Sequence, residues 1–142
     1  MHDVVVGIDR SETASRALAK AAEVAAAFDI NLHVITCADR SKSVDFTVGS
    51  DHFHVDWRDD ATQFLENAIS HAGVTGSHTT AVGAGDPADF LCAEARRLDA
   101  RVIVVGNRRV QSVSRVLGTV AADVLKHAPC DVLVANTRDP DH

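Results

Sequence analysis

The chain reads as an α/β domain built on an open, five-stranded, mostly parallel sheet flanked by helices on both faces. Three observations predict it: short continuous apolar runs, amphipathic helical stripes, and alternation of the two from one end of the chain to the other. Alternation forces parallel pairing with right-handed crossovers, so the sheet is covered on both sides. At 142 residues, 46% of them hydrophobic and 24% charged, the chain can bury one core but not two. Residues 1–142 are therefore read as a single domain.

Val4-Val5-Val6-Gly7-Ile8 is a β-branched run of the kind buried on both faces of a parallel sheet, and it makes the first strand. Ser11 then stands where it can cap a helix whose apolar positions, Ala14, Ala17, Leu18, Ala21, Ala25 and Phe28, recur at intervals of three and four. Leu32 to Thr36 is the second strand. The polar stretch from Asp39 to about Val55 reads as a long connection. Trp57, Ala61, Phe64, Leu65, Ala68, Ile69 and Ala72 form the next stripe, which Gly73 and Gly76 stop. A polar third strand around Thr79 to Val82 belongs at a sheet edge. Asp86 and Pro87 open a helix that runs to about Leu98, because aspartate caps and proline at the first position loses no hydrogen bond. Val102 to Val105, a short helix from Thr119 to His127 and a last strand from Asp131 to Ala135 complete a Rossmann-like pattern.

A formal net charge of −6 disfavours the broad attraction that drives nucleic-acid binding. No apolar run approaches the ~20 residues that cross a bilayer, and Met1-His2-Asp3-Val4 enters a strand without a basic leader, so no membrane role is expected. Cys37, Cys92 and Cys130 are far apart and form no CxxC pair, which argues against a disulfide framework or a zinc site and fits a cytoplasmic protein. Against this acidic background Arg101, Arg108, Arg109, Arg115 and Lys126 face a single acid, Asp123, between residues 101 and 126. That segment is a candidate anion site or a solvated basic loop.

The segment from Gly106 to Val120, between the strongest strand and a helix start, has the layout of a phosphate site. Gly106 lets the backbone turn away from the strand end, and Gly118 lets an anion approach without a Cβ in the way. Thr119 adds a hydroxyl where helix N–H groups favour negative charge, and Arg108 and Arg109 can add charge-assisted hydrogen bonds. An ordinary loop with a glycine turn and a threonine cap would read the same way. In open parallel sheets ligands sit beyond the carboxyl ends of the strands, which also brings Asp9, Thr36 to Asp39 and Gly83 to Asp86 into view.

Over nearly its whole length the chain resembles the universal stress protein family. The matching segments, in order, are the opening Val-Val-Gly-Ile-Asp-Arg-Ser-Glu, Gly85-Asp86-Pro87-Ala88 with Val102 to Gly106, and Leu117-Gly118-Thr119-Val120 with Ala128-Pro129-Cys130-Asp131-Val132-Leu133-Val134. The resemblance implies the adenine nucleotide alpha-hydrolase-like form of the fold. It also implies a stress-associated regulatory module that binds an adenine nucleotide such as ATP or AMP, with Mg2+ as the ion a triphosphate would bring. By the same resemblance Asp9 reaches the ribose, Gly7 and Val34 line the adenine pocket, and Gly106, Gly118, Thr119 and Val120 belong to the phosphate loop.

The family loop runs glycine, two residues, glycine, nine residues, then glycine and serine or threonine. Here Arg109 stands at the second glycine and eight residues separate it from Gly118. Its side chain either fills the phosphate path or grips a phosphate. That departure keeps open an alternative from another class, a dimeric docking domain that binds no nucleotide.

Other chemistries find less support. His52 and His54 would share one face if extended, a spacing for two metal ligands, but no third ligand stands nearby in sequence. The hydroxyl-rich Asp9 to Ser15 resembles a flavodoxin phosphate loop, yet one Trp, five Phe and no Tyr supply little to stack on a flavin. A phosphoacceptor receiver domain would want an aspartate where Gly83-Ala84-Gly85 stands. No spacing specifies a catalytic triad or a Walker lysine, so the chain is expected to bind rather than catalyse, with slow nucleotide hydrolysis at most. The final strand, Asp131 to Ala135, is apolar, lacks lysine and proline, and has no later element to cover it. It is expected to pair with its twin in a homodimer.

Overall fold

The computed structural model describes residues 2–11, 13–38, 44–107 and 118–137, with main chain alone described at 44–46 and 53–55. Its elements run β1 (Val4–Gly7), α1 (Ala14–Phe28), β2 (Leu32–Ala38), β3 (Val44–Val48), β4 (Asp51–Val55) and α2 (Trp57–Ala72). They continue through β5 (His78–Ala84), α3 (Pro87–Leu98), β6 (Val102–Gly106), α4 (Thr119–His127) and β7 (Asp131–Ala135). Five strands form one wholly parallel sheet in the order β5-β2-β1-β6-β7. From β1 the chain winds outward through β2 to β5, then returns to β6 on the other side of β1. Strand order therefore reverses between β1 and β6, where a crevice opens at the carboxyl ends.

Side-chain alternation along the central strands explains why their sequences are apolar without a break. Val4, Val6 and Ile8 face α1 and α2, where Leu18, Ala21, Leu65 and Ile69 close over them. Val5 points the other way with Ile35, Ile103 and Val105, against Leu91, Cys92 and Ala95 of α3 and Ala121 and Val124 of α4. Leu18 and Leu65 are fully buried, and truncating either to alanine is worth about 2–5 kcal/mol. Gly73 ends α2 at φ 67°, a left-handed turn that glycine adopts without a Cβ penalty.

Two sequence expectations change. Residues 44–55 are not a plain connection: β3 and β4 form an antiparallel hairpin in which Val44 pairs with Val55 and Val48 with Asp51 around Gly49-Ser50. In sequence the alternation Val44, Phe46, Val48, interleaved with Asp45 and Thr47, is short and sits in an otherwise polar stretch, and Gly49, at φ 66°, supplies the turn. Ser11 does not cap α1. The N-cap is Thr13, without a side-chain hydrogen bond, and the Ser11 hydroxyl turns instead to Asp9 Oδ1. The third strand of the main sheet lies at the edge as expected, and extends to His78–Ala84.

Candidate functional site

Beyond the ends of β1, β2 and β6 lies a cleft of about 270 Å3. Gly7, Ile35, Leu91 and Val105 give it an apolar wall, and Ser11, Thr13, Thr36, Thr119 and Thr137 add hydroxyls. Asp9 follows β1 and contributes the carboxylate. Its Oδ1 accepts the Ser11 amide at 2.9 Å and the Ser11 hydroxyl, so the turn that carries it is self-locked.

Gly7 belongs here for a packing reason. A Cβ on it would come within 3.1 Å of Leu91 Cδ1, so its hydrogen lets α3 close on the end of β1. Gly106 also owes its place to close approach, and not to the turn expected of it. It ends β6 in strand conformation, and a Cβ would stand 3.0 Å from Thr137 Cγ2. Asn107 holds Thr137 there. Its Oδ1 accepts both the amide and the hydroxyl of Thr137 at 3.1 Å, while its own amide donates to Ala135 O at 3.0 Å.

Gly118 is the N-cap of α4 at φ −63°, ψ 159°, a conformation open to any residue. Among the described residues no side chain caps this helix. The amides of Thr119, Val120 and Ala121 precede its first intrahelical bond, from Ala122 N–H to Gly118 O at 3.0 Å, and these residues line the cleft. The start of α1, Thr13 and Ala14, reaches the same cleft and also has no side-chain cap. Two helix N-termini thus direct their positive ends at one space. Cys37 forms part of the wall. Burial, with a smaller push from the Asp86 carboxylate, raises its thiol, so it stands there neutral at physiological pH.

Of the residues expected at the site, Gly7, Asp9, Gly106, Gly118, Thr119 and Val120 meet in this cleft. Val34 does not. It is fully buried among Val4, Leu32, Leu65 and Ile69, and its neighbours on β2, Ile35, Thr36 and Cys37, take the cleft position instead. The strand's period of two decides this, because Val34 and Ile35 point to opposite faces. Arg108 and Arg109 lie outside the described residues. The basic segment from 101 to 126 is divided by the fold. Arg101 stacks on Phe28 at 4.0 Å where β6 begins, at the opposite end of the sheet, and Lys126 lies in the last turn of α4.

Sequence reading also missed Thr13, Leu91 and Thr137. Thr137 follows the last strand with no motif around it, and nothing local marks a residue that becomes buried only when Asn107 reaches it. His52 hydrogen-bonds Thr47 Oγ1 at 3.2 Å across the hairpin. Among the described residues no group of three or more His, Cys, Asp or Glu is placed to hold a metal ion, and no helix is long and apolar enough to cross a membrane.

Known proteins share this arrangement. A protein of Staphylococcus saprophyticus described as a universal stress protein is 28% identical over 141 residues, covering 96% of this chain and 84% of its own. A universal stress protein solved in complex with cAMP superposes with a TM-score of 0.72 at 27% identity, covering 96% of this chain and 98% of that one. A structure from the universal stress protein family of Burkholderia pseudomallei gives a TM-score of 0.59 at 28% identity, with 93% of each chain covered. The model of the universal stress protein family spans residues 1–136, which takes in every strand of the main sheet and every cleft residue but Thr137. With fold, motif order and family model agreeing along the same residues, this chain belongs to the universal stress protein family.

Proposed function

We propose that the cleft at the β1–β6 crevice binds an adenine nucleotide, and that through this cleft the chain acts as a homodimeric regulatory module of a stress response rather than as an enzyme on the nucleotide. The observation that carries this reading is the convergence of two helix N-termini without side-chain caps on one apolar-walled, hydroxyl-rich cleft. The relative solved with cAMP supports the choice of an adenine nucleotide over another anion.

The residues suit each part of such a ligand. Gly7, Ile35 and Val105 offer an apolar surface for the base, and the Asp9 carboxylate can accept from ribose hydroxyls. The α4 amides and the Thr119 hydroxyl are donors for phosphate oxygens. Asp9, Ser11 and Thr13 are oxygen donors of the kind Mg2+ takes, should a triphosphate bring one. Titration calorimetry with ATP, ADP, AMP and cyclic AMP tests the proposal. Heat and a raised melting temperature with at least one of them are expected. No heat and no thermal shift with any of the four would leave the docking-domain alternative.

The dimer reading rests on the two sheet edges. β5 is the polar edge, with His78 and Thr79 exposed, whereas β7 is Asp-Val-Leu-Val-Ala with Leu133 36% exposed. An apolar strand with open N–H and C=O groups is satisfied by antiparallel pairing with its twin across a two-fold axis. Light scattering at micromolar concentration should give a dimer mass, and Leu133→Pro with Val134→Lys should abolish it. A wild-type monomer would overturn this assignment.

A further inference from the structure

At the amino end of the sheet, away from the cleft, the fold assembles a second set of polar groups. His33 on β2 is 3% exposed and Glu94 on α3 is 9% exposed, and His33 Nε2 stands 2.7 Å from Glu94 Oε2. The other ring nitrogen, Nδ1, is 2.6 Å from the hydroxyl of Thr79, the residue directly opposite His33 on β5. Arg97 donates to both carboxylate oxygens of Glu94, at 3.0 and 2.8 Å. That pairing, ahead of the opposing effect of burial and the help of His33, holds the Glu94 carboxyl below its ordinary range, so Glu94 is an acceptor at neutral pH.

The hydrogen-bond directions follow from the partners. Nε2–H donates to the ionised Glu94, and in the tautomer that this bond selects Nδ1 is the acceptor. Thr79 Oγ1 accepts from Asn31 Nδ2 at 3.1 Å, and its own proton is directed to Nδ1. Asn31 is held in turn, donating to Asp3 Oδ2 at 3.0 Å and accepting from the Ser77 hydroxyl at 2.7 Å. Thr79 is solvent-exposed on the outer strand of the sheet, while the imidazole and the carboxylate behind it are buried. A hydroxyl, an imidazole and an ionised carboxylate in series are the groups that make an alcohol nucleophilic. These three come from positions 46 and 61 residues apart, so no sequence spacing announces them.

We propose that Thr79 is an activated nucleophile that takes small acyl groups from esters with good leaving groups. His33 is its general base, and Glu94 and Asn31 are positioning residues. In the step, Thr79 Oγ bonds to the ester carbonyl carbon and the carbon–oxygen bond to the leaving group breaks. The Thr79 proton passes to His33 Nδ1 and on to the departing alkoxide, leaving acyl-Thr79 and the free alcohol with no change of oxidation state. Water activated by the same base then releases the carboxylic acid and restores Thr79.

The probe is p-nitrophenyl acetate with the full chain, followed by peptide mass spectrometry of the segment holding Ser77, Thr79 and Thr80. Thr79 should acquire acetyl about tenfold or more faster than either neighbour, and Thr79→Ser should keep the label. His33→Gln can still hydrogen-bond but cannot carry the proton, and should slow labelling by about tenfold or more with the circular dichroism unchanged. Glu94→Gln should slow it several-fold and Glu94→Asp restore part of the rate. Equal labelling of the three hydroxyls in the wild type overturns the proposal, and that comparison decides it even if His33→Gln does not fold. An unchanged rate in a folded His33→Gln overturns it equally. Nucleotide binding should be unaffected in Thr79→Ala, which separates this site from the cleft.

Discussion

The four helices among the described residues start in two different ways. In α2 and α3 an aspartate closes the N-terminus: Asp56 accepts the Arg58 amide at 2.8 Å, and Asp86 accepts those of Ala88 and Asp89 at 2.8 and 3.1 Å. In α1 and α4, the two helices that open on the cleft, no side chain among the described residues serves. A cap is worth about 1 kcal/mol, and an intramolecular carboxylate would also repel an anionic ligand. Where a helix only supports the sheet, the chain supplies its own anion; where a helix faces the cleft, its first amides point into the cleft, as the proposed nucleotide site requires.

The largest expected effect comes from converting one kind of start into the other. Gly118→Asp keeps an allowed backbone, since φ −63° suits any residue, and gives α4 the cap that Asp86 gives α3. The helix should hold or gain a few tenths of a kcal/mol, while ATP affinity falls by about a hundredfold through lost donors and charge repulsion. Calorimetry beside thermal unfolding separates the two effects, and unchanged affinity in the folded variant would place the phosphates elsewhere. Gly106→Val should come next. Its side chain must displace Thr137, costing about 1–3 kcal/mol and deforming the cleft wall, seen as a lower melting temperature together with weaker nucleotide binding.

Asp86→Ala sharpens the comparison from the other side. It should cost about 1 kcal/mol of stability in denaturant titration while nucleotide affinity stays within about twofold, because the α3 cap is spoken for by its own amides. The smallest effect concerns an anion held by a guanidinium rather than by helix amides. Glu94 is depressed in the folded chain, chiefly by its hydrogen bonds from Arg97, so its contribution is complete above the unfolded carboxylate range. That contribution is lost as pH falls through the lower folded value. Melting temperatures followed from about pH 7 to about pH 3 should therefore decline less steeply in Glu94→Gln than in the wild type.

Much of this contrast was legible before folding. Asp86-Pro87 announces a capped helix because cap and first turn are local chemistry, and Gly118-Thr119 announces a helix start for the same reason. Ser11 misled because Asp9, two residues away, offers its hydroxyl a better partner than the helix does. Val34 was assigned to the cleft by resemblance, and strand alternation sends it to the core instead. Thr137 and the Thr79–His33–Glu94 series were invisible, since each depends on residues from different elements.

The sequence by itself determined the order of strands and helices, their parallel pairing, and the end of the sheet at which the cleft opens. Those follow from apolar periodicity, turn residues and the handedness of crossovers, all properties of short segments. Only the tertiary structure decided which face each strand residue takes, that Gly106 serves Thr137 rather than a turn, and that β3 and β4 pair. It also decided that a buried imidazole lies between a threonine and a glutamate. Such contacts join residues tens of positions apart, and their geometry exists only once the sheet has set strands side by side and the helices have closed on its faces.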